Sequence, residues 1–131
     1  MRILLDCDVL LDVALNRLPH AASSGAVLDW AESHPGKACV AWHTISNLQY
    51  LCDDGAFGFV RERIAFCEIP ATGTDDLRRA LDLGFADLED AMQVAAALTF
   101  GAQVVITRNL KDYRKSPVKA LTPEDVLSQL K

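Results

Sequence analysis

The segment Ile3-Leu4-Leu5-Asp6-Cys7-Asp8 decides the fold, because a short apolar run near the start of the chain ends directly in acid. The apolar residues predict a buried strand over residues 2–5. Helical spacing follows at Val9, Leu10, Val13 and Ala14. A buried strand that leads directly into a helix is typical of a parallel α/β sheet. Ligands of such sheets bind at the carboxyl ends of the strands, so Asp6 and Asp8 are the first candidates for a functional site.

The remaining pattern alternates in the same way. Apolar runs predict further strands at 38–42, 67–69, 103–106 and 118–121. Amphipathic spacing, capping residues and Pro or Gly stops predict helices at 20–33, from Thr44 or Ser46 to about 53, 57–66, from Thr74 to Gly84, 87–100, and from Thr122 onward. We therefore expect an α/β fold: a three-layer αβα sandwich with a central parallel sheet of four or five strands. The length predicts a single domain, 1–131.

Composition limits the classes of function. Half of the 131 residues are hydrophobic and the net charge is -5, which disfavours disorder and disfavours a protein that binds nucleic acid through bulk positive charge. From residue 102 onward, however, six Lys or Arg accompany three Asp or Glu. The four cysteines form no CxxC pair, so we expect buried, reduced thiols in a cytoplasmic protein. The chain shows no signal-peptide pattern and no apolar run long enough to span a membrane.

A second acidic segment, Asp87-Leu88-Glu89-Asp90-Ala91, opens the clearest predicted helix. Asp87 and Asp90 are three residues apart, so they are neighbours on the helix surface, whereas Glu89 points elsewhere. Acids also favour any helix N-terminus because of the helix dipole, and that alternative explains either residue. We expect Asp90, and less directly Asp87, to contribute to a site.

The third segment follows the strand at 103–106 and reads Thr107-Arg108-Asn109-Leu110-Lys111-Asp112. Asn109 offers an amide oxygen and Asp112 a carboxylate, although an ordinary polar turn is the competing interpretation. Nearby basic residues predict a rim that holds a phosphodiester backbone, with a solvated loop as the competing interpretation; these residues are Arg108, Lys111, Arg114 and Lys115.

Carboxylates that a parallel sheet gathers at one edge repel one another unless a cation lies between them. Mg²⁺ and Mn²⁺ prefer oxygen ligands. The predicted metal ligands are Asp6, Asp90, Asp112 and Asp87, with Thr107 and Asp8 expected to orient them. We expect Asp12 to be solvated, His43 to be structural, and Trp30 and Trp42 to pack in the core.

With these residues in place, the chain resembles the PIN-domain family, in particular the VapC-like toxin ribonucleases. The resemblance is carried by MRILLDCDVLLDVALNR at 1–17, ADLEDAMQVAAAL at 86–98 and VVITRNLKDYRKSPVKALTPEDVL at 104–127. It implies a metal-dependent endoribonuclease in which Asp6 matches the first family acid and Asp90 the helical one. The last family acid falls near Asn109 or Asp112. The resemblance also implies a homodimer and, for a toxin, a cognate antitoxin protein.

One position departs from the family pattern. Asn47 stands where the family usually has a Glu, so the site loses a charge there, and Asn109 would remove a second one. Two alternatives therefore remain: a catalytically weakened PIN-fold module that binds RNA or protein, and a haloacid-dehalogenase-like phosphatase. In the phosphatase, Asp6 would be the nucleophile and Asp8 the acid/base, and Thr107 would match the later Thr of that family.

Overall fold

The computed structural model describes residues 1–130 and has the expected α/β architecture. Its sheet contains β1 (Ile3–Leu5), β2 (Ala38–Cys39), β3 (Val104–Ile106) and β4 (Lys119–Leu121), in the order β2-β1-β3-β4 with every neighbouring pair parallel. β1 therefore lies between β2 and β3. Leu5 is in register with Ile106, so the residues that follow these two strands emerge side by side.

Within residues 1–130 there are seven α-helices. They are α1 (Cys7–Ala14), α2 (Ala21–Ser33), α3 (Trp42–Cys52), α4 (Ala56–Phe59), α5 (Thr74–Asp82), α6 (Leu88–Phe100) and α7 (Pro123–Leu127). A π-helical turn at Val60–Ile64 and 3₁₀ turns at Asp53–Gly55 and Leu110–Tyr113 complete the elements.

Alternate residues of β1 face opposite sides of the sheet, as strand geometry requires. Ile3 and Leu5 pack in a core cluster that includes residues of α1, α2, α3 and α7. Leu4 packs on the other side with Val94 and Ala97 of α6. All three β1 residues are fully buried. The three-layer sandwich predicted from the sequence is thus confirmed.

The start of α3 differs from the prediction. β2 ends at Cys39 and α3 begins at Trp42, so neither Thr44 nor Ser46 caps this helix. Trp42 occupies the first turn of α3, and the residue is 71% exposed. The prediction that Trp42 packs in the core was wrong because the residue belongs to a helix start and not to a buried strand. The predicted strand at 67–69 is reduced to one bridge between Cys39 and Glu68.

Two helix ends follow their local sequence closely. Asp87 caps α6 by accepting hydrogen bonds from the backbone N–H groups of Glu89 and Asp90. Gly101 ends the same helix with φ = 79°, a left-handed conformation that glycine adopts without a Cβ clash. Asp87 is therefore explained as a helix cap, as the helix N-terminus alternative allows, whereas the Asp90 side chain does not cap the helix.

All four cysteines are unpaired; Cys39 is buried and the others are partly buried. Burial raises the pKa of the Cys7 and Cys67 thiols to about 12, so both are protonated at neutral pH. Within residues 1–130, none of the helices combines the length and the apolar character that crossing a bilayer would demand.

Candidate active site

The site centres on Asp6, which follows β1 at the carboxyl edge of the sheet. Its carboxylate is almost fully buried, with 6% of the residue exposed. Oδ1 accepts hydrogen bonds from the Cys7 backbone N and from Gln93 Nε2, both at 2.7 Å. Oδ2 accepts one from Thr107 Oγ1, also at 2.7 Å. Three neutral donors from three segments therefore fix the orientation of Asp6 without cancelling its charge.

Helix α6 brings Asp90 to the same place. Gln93 lies one turn after Asp90 on the helix and contacts Asp6 directly, so Asp90 faces the same edge of the sheet. Tyr113 donates its hydroxyl to Asp90 Oδ1 at 3.3 Å. Burial raises the pKa of Asp90 to about 6, and repulsion from Asp87, Asp6 and Asp112 adds to the increase. Asp87, Asp6 and Asp112 thus all lie close enough to Asp90 to act on it electrostatically.

Asp8 lies on the first turn of α1 and accepts hydrogen bonds from the loop after β3. Its Oδ2 accepts hydrogen bonds from the Arg108 backbone N at 3.3 Å and from Asn109 Nδ2 at 3.1 Å. Its Oδ1 is buried and has no hydrogen-bond partner. Burial, followed by repulsion from Asp6, raises the pKa of Asp8 to about 6.

The two candidates for the last acid occupy different positions. Asn109 uses its amide as a donor to Asp8. Asp112 is exposed and acts electrostatically on Asp90. Asp90 and Asp112 both line one surface cleft. The basic side chains of Lys111, Arg114 and Lys115 also line this cleft, whose acidic lining residues are Asp87, Asp90 and Asp112.

Asn47 does not lie at the start of a helix, because α3 begins five residues earlier. Its Nδ2 donates a hydrogen bond to Glu89 Oε1. Glu89 also acts electrostatically on His43, whose pKa is lowered mainly by burial and whose Nε2 is buried without a partner. Asn47 and His43 therefore form a polar patch on the α3 side, next to α6.

The expectation that Asp12 is solvated was wrong. The Asp12 residue is fully buried, because Arg108 spans both of its oxygens and Ser24 Oγ donates to Oδ2 at 2.9 Å. Arg17 adds a contact at 3.1 Å. Spacing along α1 suggested a surface position, and Arg108, which bonds both oxygens of Asp12, lies almost a hundred residues away in the sequence.

Three further residues of the site region, Gln93, Thr44 and Tyr113, were not predicted from the sequence. Gln93 carried a usable signal: it is the one polar residue in the run from Ala91 to Leu98, and such a residue on a buried helix needs a partner. Thr44 Oγ1 donates to Gln93 Oε1 at 3.3 Å, both side chains being buried. No local pattern marked Thr44 or Tyr113.

The donor atoms fit a hard divalent cation. Asp6, Asp8 and Asp90 offer only oxygen, which Mg²⁺ and Mn²⁺ prefer. Within residues 1–130, no three His, Cys, Asp or Glu side chains are arranged as a ready metal cluster. Mg²⁺, however, is commonly held by one or two carboxylates together with water and substrate phosphate. A cation here would also relieve the repulsion that raises the pKa of Asp8 and Asp90.

Comparison with known families agrees with this geometry. The family model described as PIN domain matches residues 2–111. No curated protein matches the chain significantly. PIN domains are typically nucleases that act on RNA, and they generally use divalent metal ions. With its parallel four-stranded sheet and its acids at the carboxyl edge, this chain belongs to the PIN-domain family.

Proposed function

We propose that this chain is a single PIN-like domain that acts as a metal-dependent endoribonuclease and hydrolyses RNA phosphodiester bonds. The observation that carries the proposal is the meeting of Asp6 and Asp90. Asp6 is buried and oriented by three donors, and Asp90 faces it from α6 beside an open cleft. Two neighbouring carboxylates, of which Asp90 lines the cleft, are a suitable anchor for Mg²⁺ or Mn²⁺.

In this proposal Asp6 and Asp90 hold the ion, with Asp87 and Asp112 completing the negative field. When bound, the ion would supply Lewis-acid polarisation of the scissile phosphate and a lowered pKa for water. The protein residues do the positioning. Gln93 and Thr107 keep both oxygens of Asp6 in place, and the Tyr113 hydroxyl orients Asp90. Asp8 and Asn109 form the wall between α1 and the loop after β3.

Basic side chains supply the other half of the substrate site. Lys111, Arg114 and Lys115 line the cleft that also contains Asp90. We propose that they hold phosphates on either side of the scissile bond, because contacts to phosphate position a nucleic acid without reading its sequence. This local positive rim allows an acidic protein with net charge -5 to bind RNA.

The likeness to VapC-like toxins supports a narrower proposal, in which the chain is the cytoplasmic toxin of a toxin–antitoxin pair and forms a homodimer. Large apolar side chains on the α3–α4 side are exposed, including Trp42, Tyr50 and Phe57. Such side chains are enriched at protein interfaces. They offer a surface for either the second copy or the antitoxin protein.

The test is RNA cleavage by the purified chain with Mn²⁺, with Mg²⁺ and with a chelator, beside the D6N and D90N variants. The proposal expects metal-dependent cleavage that each variant reduces at least a hundredfold. Asp125→Asn is the matched control, because Asp125 is an exposed acid at the start of α7. Equal cleavage by wild type, D6N and D90N would identify a contaminating nuclease and overturn the proposal.

A second candidate function has its own observation. Asn47 and Asn109 both use their amides to bond acids of the site region, Glu89 and Asp8, so neither adds negative charge. A weakened PIN-fold module that binds RNA or protein fits that feature. RNA binding with no cleavage in Mn²⁺ would favour this module. The phosphatase alternative is disfavoured, since the chain matches the PIN family over residues 2–111.

A further inference from the structure

We propose that Arg108 is a positioning residue, which fixes the loop after β3 to α1 through buried Asp12 and thereby holds Thr107 and Asn109 against the acids of the site. This role differs from binding RNA, which the basic character of residue 108 suggests from sequence alone. The catalytic part of the proposal rests on the proposed ribonuclease function. The structural part does not.

The anchor is a buried, two-pronged ion pair. Arg108 Nε lies 2.8 Å from Asp12 Oδ2, and its Nη2 lies 2.9 Å from Asp12 Oδ1. The guanidinium fork therefore matches both oxygens of the carboxylate, the geometry in which arginine is strongest and most directional. Asp12 is fully buried and cannot itself touch RNA.

Three consecutive residues of the loop carry that anchor into the site. Thr107 Oγ1 donates to Asp6 Oδ2 at 2.7 Å. The Arg108 backbone N donates to Asp8 Oδ2 at 3.3 Å, while its side chain reaches past Asp8 to Asp12. One residue thus contacts α1 twice, at positions 8 and 12, which are neighbours one turn apart on the helix.

Asn109 completes the arrangement. Its backbone N donates to Thr107 Oγ1 at 3.0 Å and its Nδ2 donates to Asp8 Oδ2 at 3.1 Å. Without the ion pair between Arg108 and Asp12, only the single hydrogen bonds of Thr107, Arg108 N and Asn109 would hold the loop in place. Active sites lose rate when supporting residues allow shifts of about 1 Å, with losses on the order of a hundredfold.

Charge and exposure separate Arg108 from the basic residues of the cleft. The Arg108 side chain is only 24% exposed and its fork is occupied, whereas Lys111 and Arg114 are exposed and line the cleft. A phosphate would have to compete with Asp12 for Arg108, and Asp12 would then lose its principal cation in a buried position.

The experiment compares D12N, R108M and R108K with K111A, a matched variant that removes a cleft cation. Cleavage of a single-stranded RNA is measured as kcat and KM at several salt concentrations, in Mn²⁺. We expect D12N and R108M to lower kcat tenfold to a hundredfold while KM and its salt dependence stay as in the wild type. R108K keeps the charge but loses the fork, so its kcat should fall almost as far. K111A should instead raise KM and weaken its salt dependence.

The double variant D12N/R108M should be no worse than either single variant, because both remove the same contact. The proposal is overturned if R108M behaves as K111A does while D12N keeps wild-type kcat.

An activity-independent measurement uses amide hydrogen exchange at Arg108 and Asn109, whose N–H groups bond Asp8 and Thr107. Faster exchange at these two amides in R108K, with unchanged exchange in the β-strands, supports the anchor; unchanged exchange at both overturns it. This readout needs no catalysis. An inactive wild type would therefore overturn the ribonuclease proposal, whereas amide exchange would still decide whether Arg108 positions the loop. R108K also serves where D12N fails to fold.

Discussion

Gln93 Nε2 donates a 2.7 Å hydrogen bond to Asp6 Oδ1 and thereby joins the middle of α6 to the end of β1. The other end of the same amide accepts a hydrogen bond from Thr44 Oγ1 at 3.3 Å. One buried side chain therefore connects α3, α6 and the sheet at the base of the site. The amide is the group that suits this position, because it donates to an acid and accepts from a hydroxyl at once.

Replacing Gln93 by Glu should destabilise the protein at pH 7 by about 3 kcal/mol, since a second buried carboxylate would face Asp6 in place of a donor. Protonation of one of the two acids restores a donor, so the loss should shrink at pH 5. Urea unfolding at both pH values, with a chelator present, measures the effect. Gln49→Glu, at an exposed position of α3, is the control, with an expected change within about 0.5 kcal/mol. A Q93E variant as stable as Q49E would contradict the role of Gln93.

Asp12→Asn should lower the free energy of unfolding by about 3 kcal/mol, because two arginines then lose their buried anionic partner. The matched control is Asp29→Asn, which breaks the exposed Asp29–Arg63 pair. Exposed pairs contribute about 0–1 kcal/mol. Denaturant midpoints of both variants decide the point, and similar losses in D12N and D29N would show that burial of the Asp12 pair adds nothing.

Asp90 should make the metal-free protein less stable as pH rises. Burial and neighbouring acids raise its pKa from 3.8 to about 6, so between these values the folded protein binds more protons at Asp90 than the unfolded chain does. Stability from this group is therefore present below pH 4 and declines as pH rises to about 6. Asp90→Asn removes the dependence, whereas His43 titrates in both proteins.

Thermal unfolding of wild type and D90N in chelator, from pH 4 to pH 7, measures this difference. D90N should gain stability relative to wild type as pH increases. When Mn²⁺ is added, it should stabilise the wild type and thereby remove most of this difference. A difference between the two proteins that is constant over this pH range would refute the raised pKa of Asp90.

Lys111→Ala together with Arg114→Ala should weaken RNA binding and flatten its dependence on salt. Each lost phosphate contact should reduce the slope of log K against log salt by about 0.7 for a single strand. Lys37→Ala is the control, because Lys37 precedes β2 at the opposite, amino edge of the sheet. The affinities are measured by fluorescence titration of a short labelled RNA, with D6N as the common background of all the variants. Equal slopes for K37A and the double variant would exclude the cleft as the RNA site.

Local sequence was enough to predict most of the sheet and helices. β1, β3, α2 and α6 lie within a residue or two of their predicted bounds, because strong apolar runs and end signals such as Gly101 act over short distances. The start of α3 was harder. The apolar residues at 38–42 fit a strand as well as a strand followed by a helix, and only packing against the sheet chose between them.

The sequence by itself determined that Asp6 follows a buried apolar strand and that Asp90 lies at the start of a helix. This was sufficient to nominate both residues for the site. Their partners depended on tertiary structure. Gln93 and Thr107 reach Asp6 across 87 and 101 residues, and Arg108 reaches Asp12 across 96. Sequence periodicity reports which face a side chain occupies on its own element, whereas the hydrogen-bond partner of a buried polar group is set by the neighbouring element that the fold brings to it.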